Sequence, residues 1–506
     1  MALDLDRLSP VEQAMSRRRR WRWIIILLAA ALLIWWLVFV NQYVVAYDKP
    51  IDHFRHGSIG SETANGLPIL VFKALPVLYP DRMGPGGWRR FGLLYEGDDE
   101  LPVGFSRRVV TGVERVWLNC SVCHVGTYRL PGQTEEHYVY GAPSNNLRLY
   151  DLIRFFIDVG RDPGFSADAL VNAIDSDAVG GNLNFVERAV YRYIVFPRVQ
   201  GAFLVLGRQL AFVERQEDWG PGRVDTFNPY KAIQFNFPMG PDSISEAALN
   251  GAADYPSIWM QRPREGINLH WDGNNSSVAE RNLSAALGAG VTPVTVDRAA
   301  IRRVEDWMWE LPAPVFPAAD RIDGGKARRG EGLFTAYCAG CHGMKRDGAY
   351  DYSRRRYPGL GQVVPLPAIA TDPGRWASYT PAFAGAQNML FAGYPWRFQH
   401  FRKTNGYVGQ PLDGIWARSP YLHNGSVPTL RDLLEPAADR PAVWFRGGDM
   451  LDLDRVGYRS DPGAAGAFRY DTSRPGNSHK GHEGAAYGTA LSASDKDALV
   501  EYMKTL

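Results

Sequence analysis

Every cysteine of this 506-residue chain falls into one five-residue pattern, written twice. Cys120-Ser121-Val122-Cys123-His124 and Cys338-Ala339-Gly340-Cys341-His342 are both C-x-x-C-H. Two thiols a short turn apart can each form a thioether to one vinyl group of a haem. The histidine after the second thiol then lies under the porphyrin and can supply an axial nitrogen to iron. A four-thiolate zinc site would have to close across the whole stretch between Cys123 and Cys338, and it has no use for the histidines. A thioredoxin-like redox disulfide uses one such motif in a βαβ setting. The doubled pattern therefore predicts two covalently bound c-type haems. Cys120, Cys123 and His124 hold one; Cys338, Cys341 and His342 hold the other, with both histidines as iron ligands.

The ends of the chain differ in charge. The whole carries only +2, yet residues 1–22 hold Arg7, Arg17, Arg18, Arg19, Arg20 and Arg22 against Asp4, Asp6 and Glu12. A near-neutral body lacks the broad basic face that nucleic acid requires, so no nucleic-acid partner is expected. Residues 23–47 contain no charged side chain. As a helix they would span about 37 Å, enough for a bilayer core of about 30 Å. Trp21, Trp23, Tyr43 and Tyr47 flank the run as interfacial aromatics do. The arginine block then predicts a cytoplasmic segment 1–22, a transmembrane helix 23–47 and an exported body, giving a single-pass bacterial inner-membrane protein facing the periplasm. A cleaved signal peptide ending at Val44-Val45-Ala46 competes with this reading, although the apolar run exceeds the usual h-region.

Helical signals frame the second motif. Gly330 and Phe334 share a face in the segment leading into Cys338. Ser492–Asp495 has the form of a capping box, and Leu499, Tyr502, Met503 and Leu506 recur at helical spacing behind it. A helix entering C-x-x-C-H and a closing C-terminal helix resemble the class I cytochrome c fold. The Pro/Gly-rich stretch Leu311–Gly325 reads as a linker. The expected fold class is mainly α, with two cytochrome c-like haem modules (48–320 and 321–506) and extensive loops after the N-terminal transmembrane helix. The 52 glycines and 34 prolines fit the loops. Six side chains could give the second haem a further ligand: His400, His423, His479, His482, Met389 or Met450.

Gln410–Pro436, with Tyr421-Leu422-His423-Asn424-Gly425-Ser426 at its centre, resembles the second-haem segment of the bacterial di-haem cytochrome c peroxidase superfamily. His270–Asn282 and Pro475–His482 are similar to the branch that holds the rubber oxygenases and related fatty-acid dioxygenases. The resemblance implies that His482 closes the second iron, with His479 its near neighbour, and that the first iron stays five-coordinate or holds oxygen. It implies that Trp271 stands between the porphyrins as an electron relay and that Leu287 falls near the distal pocket. Asn274, Asn275, Glu280 and Arg281 follow Trp271, and the Arg and Asn among them could hold propionates or order distal water. The secreted rubber oxygenases lack a membrane anchor, so the anchor expected here is a departure.

Three function classes follow. The first is an oxygenase acting on an unsaturated, lipid-like substrate at the first haem, with His124 and Trp271 as its catalytic residues and electrons stored at the second. The second is a peroxidase reducing hydrogen peroxide. The third is an electron-transfer cytochrome serving a redox protein partner, without a substrate of its own. O₂ or peroxide is the small-molecule partner of the first two.

Overall fold

The computed structural model describes residues 10–36 and 40–506. Helix α1 runs Pro10–Trp35. Its uncharged part extends only from Trp23 to Trp35, about 20 Å at 1.5 Å per residue. The preceding turns carry Arg17–Arg20 and Arg22. Further along, β1, Tyr43–Val44, pairs in antiparallel register with Val109 and Arg108. No described helix is long and apolar enough to cross a membrane. This corrects the expected transmembrane helix at 23–47, and the single-pass inner-membrane placement with a periplasmic body falls with it. The physical reason is that the apolar run is divided: its first half continues an arginine-rich helix and its end is an edge strand. Residues 37–39 of the run lie outside the described residues.

A second correction concerns the body. Helix covers about 43% of the chain and strand 12%, less helix than a mainly α fold with two like modules. The first half is built around a four-stranded sheet ordered β1-β3-β4-β2, with β2 Leu67–Pro68, β3 Phe105–Val110 and β4 Val113–Leu118. β3 and β4 form a hairpin through Thr111-Gly112, whose φ values of 52° and 76° suit a tight two-residue turn. After the first motif, β5 Val125–Tyr128 pairs with β6 His137–Tyr140. Helices α2 Leu149–Arg161 and α3 Phe196–Gln209 cover this half. Its core includes Phe72, Trp88, Phe155 and Phe156.

Between the motifs lie α4 Val278–Gly288 and α5 Arg298–Met308. The second half rests on α6 Gly324–Tyr337 crossing α7 Ala493–Met503. Trp259, from the first half, is fully buried in the second core beside Trp416 and Leu499. Its indole donates to the Asp413 carbonyl. Arg129 binds Asp449 across the same seam, so the two halves interlock.

Candidate haem-attachment sites

The first motif sits in a strand-to-strand corner. Asn119 Oδ1 accepts the Ser121 N–H at 3.0 Å, while Asn119 Nδ2 donates to the carbonyls of Arg55 and Gly57. Residues Cys120–Val122 make one 3₁₀ turn. Gly104 lies against it with φ 91°, and a Cβ there would stand 2.4 Å from Val122 Cα. His124 turns its Nδ1 to the Pro256 carbonyl at 3.0 Å. A carbonyl can only accept, so Nδ1 carries the proton and Nε2 presents its lone pair. Desolvation and nearby Arg281 push the pKa of His124 down to about 4, which keeps the ring neutral and able to bind a metal.

The second motif ends a helix. Asp323 caps α6 by accepting from Gly325 and Lys326 N–H. Ser492 caps α7 through the Asp495 N–H. The helices meet at Gly330, where a Cβ would lie 1.9 Å from the Ala498 carbonyl, and the Phe334 and Tyr502 rings stand 5.1 Å apart. His342 Nδ1 donates to the Gln410 carbonyl at 2.7 Å, the same arrangement as at His124. Opposite it stands His482, with ring centres 6.2 Å apart. Two imidazoles sharing one metal, each nitrogen about 2 Å from it, would place their centres about 6 Å apart. His482 is held in the left-handed region, φ 48°, with its N–H on the Ile369 carbonyl. Arg440 clasps the carbonyls of His479, Gly481 and His482. His482 Nδ1 is buried without a hydrogen-bond partner, and desolvation pushes its pKa to about 3.

None of the four cysteines is paired in a disulfide. Burial pushes Cys120 up to about 11 and Cys123 and Cys338 to about 12, which suits neutral thiols ready for thioether formation better than thiolates poised for redox exchange. Among the described residues no three His, Cys, Asp or Glu side chains gather as a metal cluster, so the two thiol pairs do not converge as a zinc site would require. The donor sets and the orphaned nitrogen of His482 fit a haem at each motif.

The other candidates separate cleanly. His479 Nδ1 donates to the Pro441 carbonyl. His400 pairs with Glu280 at the surface, and Met389 is 68% exposed. His423 is buried and stacked on Tyr407 at 4.1 Å, and its carbonyl accepts the Asp254 N–H. Leu287 is buried in an aromatic cluster with Phe227, Phe383 and Phe391, and Cys120 packs against that cluster. Asn274 Oδ1 accepts from His270 Nδ1 at 2.5 Å, and Asn275 donates to Glu280.

Between the motifs is a cleft. Pro256 and Gln410, whose carbonyls orient His124 and His342, both line it. Trp271 also faces it and donates its indole N–H to the Asp254 carbonyl at 2.8 Å. Arg264, Arg281 and Arg418 complete the wall. Sequence reasoning missed Arg264, Arg418 and their shared partner Asp413. The usable signal lay in Gln410-Pro411-Leu412-Asp413 and Arg418, inside the segment already singled out.

A family model described as RoxA-like, cytochrome c-like, matches residues 406–445. That stretch contains Gln410, Asp413, Arg418 and His423. Among curated proteins, the uncharacterized protein y4iJ of Sinorhizobium fredii (strain NBRC 101917 / NGR234) is 26% identical over 518 residues, covering 82% of this chain and 84% of that protein. The uncharacterized protein y4iM of the same organism is 31% identical over 291 residues, covering 50% of this chain and 64% of its own length. The family match supports a c-type haem with its iron and a haem-dependent cytochrome or oxygenase-like role.

Proposed function

We propose that the chain is a di-haem c-type redox enzyme of the rubber-oxygenase-like branch of the di-haem peroxidase superfamily, with unlike irons. Cys120, Cys123 and His124 hold the haem that binds O₂ or peroxide. Cys338, Cys341, His342 and His482 hold the one that stores electrons. The observation carrying this reading is the contrast in ring neighbours. His342 faces an imidazole at 6.2 Å, whereas the ring beside His124 is the phenol of Tyr255 at 6.4 Å.

When bound, the haems would supply oxygen activation and electron storage. The chain's own residues do the rest. The Pro256 and Gln410 carbonyls fix the orientation of the two proximal imidazoles. The cluster of Leu287, Phe227, Phe383 and Phe391 packs around Cys120 and excludes water there, favouring oxygenation of an unsaturated apolar substrate over proton-coupled peroxide cleavage. Trp271, in the cleft between the motifs, is positioned to pass electrons between them.

Intact mass of the purified holoprotein is expected to exceed the apoprotein by two haems. Paramagnetic resonance and resonance Raman are expected to show one bis-histidine low-spin haem and one five-coordinate or O₂-bound haem. His482→Ala is expected to open the second haem to CO and cyanide. Two closed, CO-inert irons in the wild type would replace the enzyme with an electron-transfer cytochrome.

A further inference from the structure

We propose that the outward face of residues 185–209 docks on an anionic lipid surface, lying along it rather than crossing it. The helix Phe185–Val190, the π-helical Tyr191–Val195 and α3 follow one another without a break. Tyr191, Val195, Val199, Phe203 and Gly207 recur every four residues and are buried. This stripe meets α2: a Cβ on Gly160 would stand 2.7 Å from Phe203 Cβ, and one on Gly207 3.3 Å from Ile157. With its core side settled, such a helix is expected to turn polar residues to water. This one does not. Tyr193, Pro197, Gly201 and Val205 also recur every four residues, two out of step with the buried stripe and so about half a turn round. Phe185 is 84% exposed, Tyr193 72% and Val186 59%, and Ile194, Leu204 and Val205 are exposed as well. A Cβ on Gly201 would meet nothing within 4 Å. A continuous apolar face of this length marks a contact surface.

The charges select its occupant. From Ala189 to Gln209 every charged residue is an arginine: Arg192, Arg198 and Arg208. Asp168 holds Arg192, and Asp175 holds Arg188 at 2.6 Å. Glu187 closes the capping box on the Asn184 N–H. Arg198 and Arg208 are exposed and meet no carboxylate. Alongside, Arg154 and Arg161 share Glu214, Asp158 is unpaired, and Arg115 and Arg198 repel one another. A second copy seated face to face would set Arg198 and Arg208 against the same arginines. Lipid phosphates answer both, because an arginine stem lies along apolar surface while its head stays in the headgroup layer. Acyl chains then take Phe185, Val186, Ile194, Leu204 and Val205, and Tyr193 suits the boundary between the two layers.

The docking stands apart from the haem chemistry, whose spectrum serves here as the check on folding. Full-length haem-loaded protein is sedimented with vesicles of phosphatidylcholine and phosphatidylglycerol, and with phosphatidylcholine alone. The variants are the triple change Tyr193→Ser, Leu204→Ser, Val205→Ser and the double change Arg198→Gln, Arg208→Gln, all at exposed positions. Wild type is expected to bind the anionic vesicles, the triple variant to lose about tenfold or more, and the arginine variant about tenfold, a loss that high salt reproduces in the wild type. Because α1 also exposes apolar residues, a spin label at Ala202→Cys reports the face itself. Lipid contact is expected to raise its accessibility to oxygen over that to a water-soluble nickel chelate. Binding unchanged in both variants, with the label still in water, overturns the proposal and assigns the lipid contact to α1. A dimer in sedimentation equilibrium that the triple variant abolishes overturns it in favour of a second copy, and failure of the wild type to bind anionic vesicles overturns it outright.

Discussion

The two attachment motifs share five-residue chemistry and almost nothing else. Cys338–His342 continues a capped helix that is pressed against the C-terminal helix. Cys120–His124 occupies a single 3₁₀ turn between two hairpins, held by the Asn119 side chain and by close approach to Gly104. Both nevertheless end with the histidine Nδ1 on a distant backbone carbonyl. The requirement imposed by the pattern is therefore a short turn plus an oriented imidazole, and either a helix end or a strand corner can supply it.

The largest effect that would sharpen this contrast comes from removing one covalent anchor. Cys338→Ala with Cys341→Ala is expected to lower the intact mass by one haem and halve haem staining on a denaturing gel, with the first haem's spectrum retained. Next is Asp413→Asn, which leaves Arg264 and Arg418 facing each other in the interior; chemical denaturation should show a loss of about 3–5 kcal/mol. Burial alone would raise the Asp413 pKa, but Arg264 and Arg418 outweigh it and hold the carboxyl below its usual range. The stabilisation is therefore complete above the unfolded value of about 3.9 and is lost as pH falls below it toward the folded pKa. Acid titration of the wild type should show this loss, and Asp413→Asn should flatten it.

A paired experiment separates the two supports. Gly330→Leu overpacks the α6–α7 crossing and Gly104→Ala drives a methyl into Val122. Each is expected to cost about 1–3 kcal/mol, and each should disturb the spectrum of its own haem alone. Disturbance of both haems by either change would show that the sites fold as one unit. The smallest effect is Ser492→Ala, which removes the α7 cap and should lower stability by about 0.5–2 kcal/mol without altering either spectrum.

The second half was largely legible in the sequence because its signals are local. The capping serine, the i, i+4 pair Gly330 and Phe334, and the periodicity of the last helix all act within a few residues, and they meet in the structure as expected. The first half was not. Its hairpin turn, Thr111-Gly112, is a local signal, but the strands that flank the hairpin, β1 and β2, pair with it from distant positions in the chain. The N-terminal run failed for a different reason. Hydropathy measures apolar length, and it does not show that Arg17–Arg20 and Arg22 share the helix or that Tyr43–Val44 joins a sheet. The arginine cleft was beyond local reading, since Arg264 and Asp413 are 149 residues apart.

The hydrogen bond from His124 to Pro256 spans 132 residues of sequence. At 5–20 residues per second, a ribosome needs on the order of ten seconds to make that stretch. The first attachment motif is thus complete well before the carbonyl that fixes its imidazole exists. For His342 the carbonyl at Gln410 follows after only 68 residues. The imidazole of the first motif is thus the later of the two to be oriented, and a chain truncated between Tyr140 and Pro256 would present its thiols while lacking the carbonyl that fixes His124.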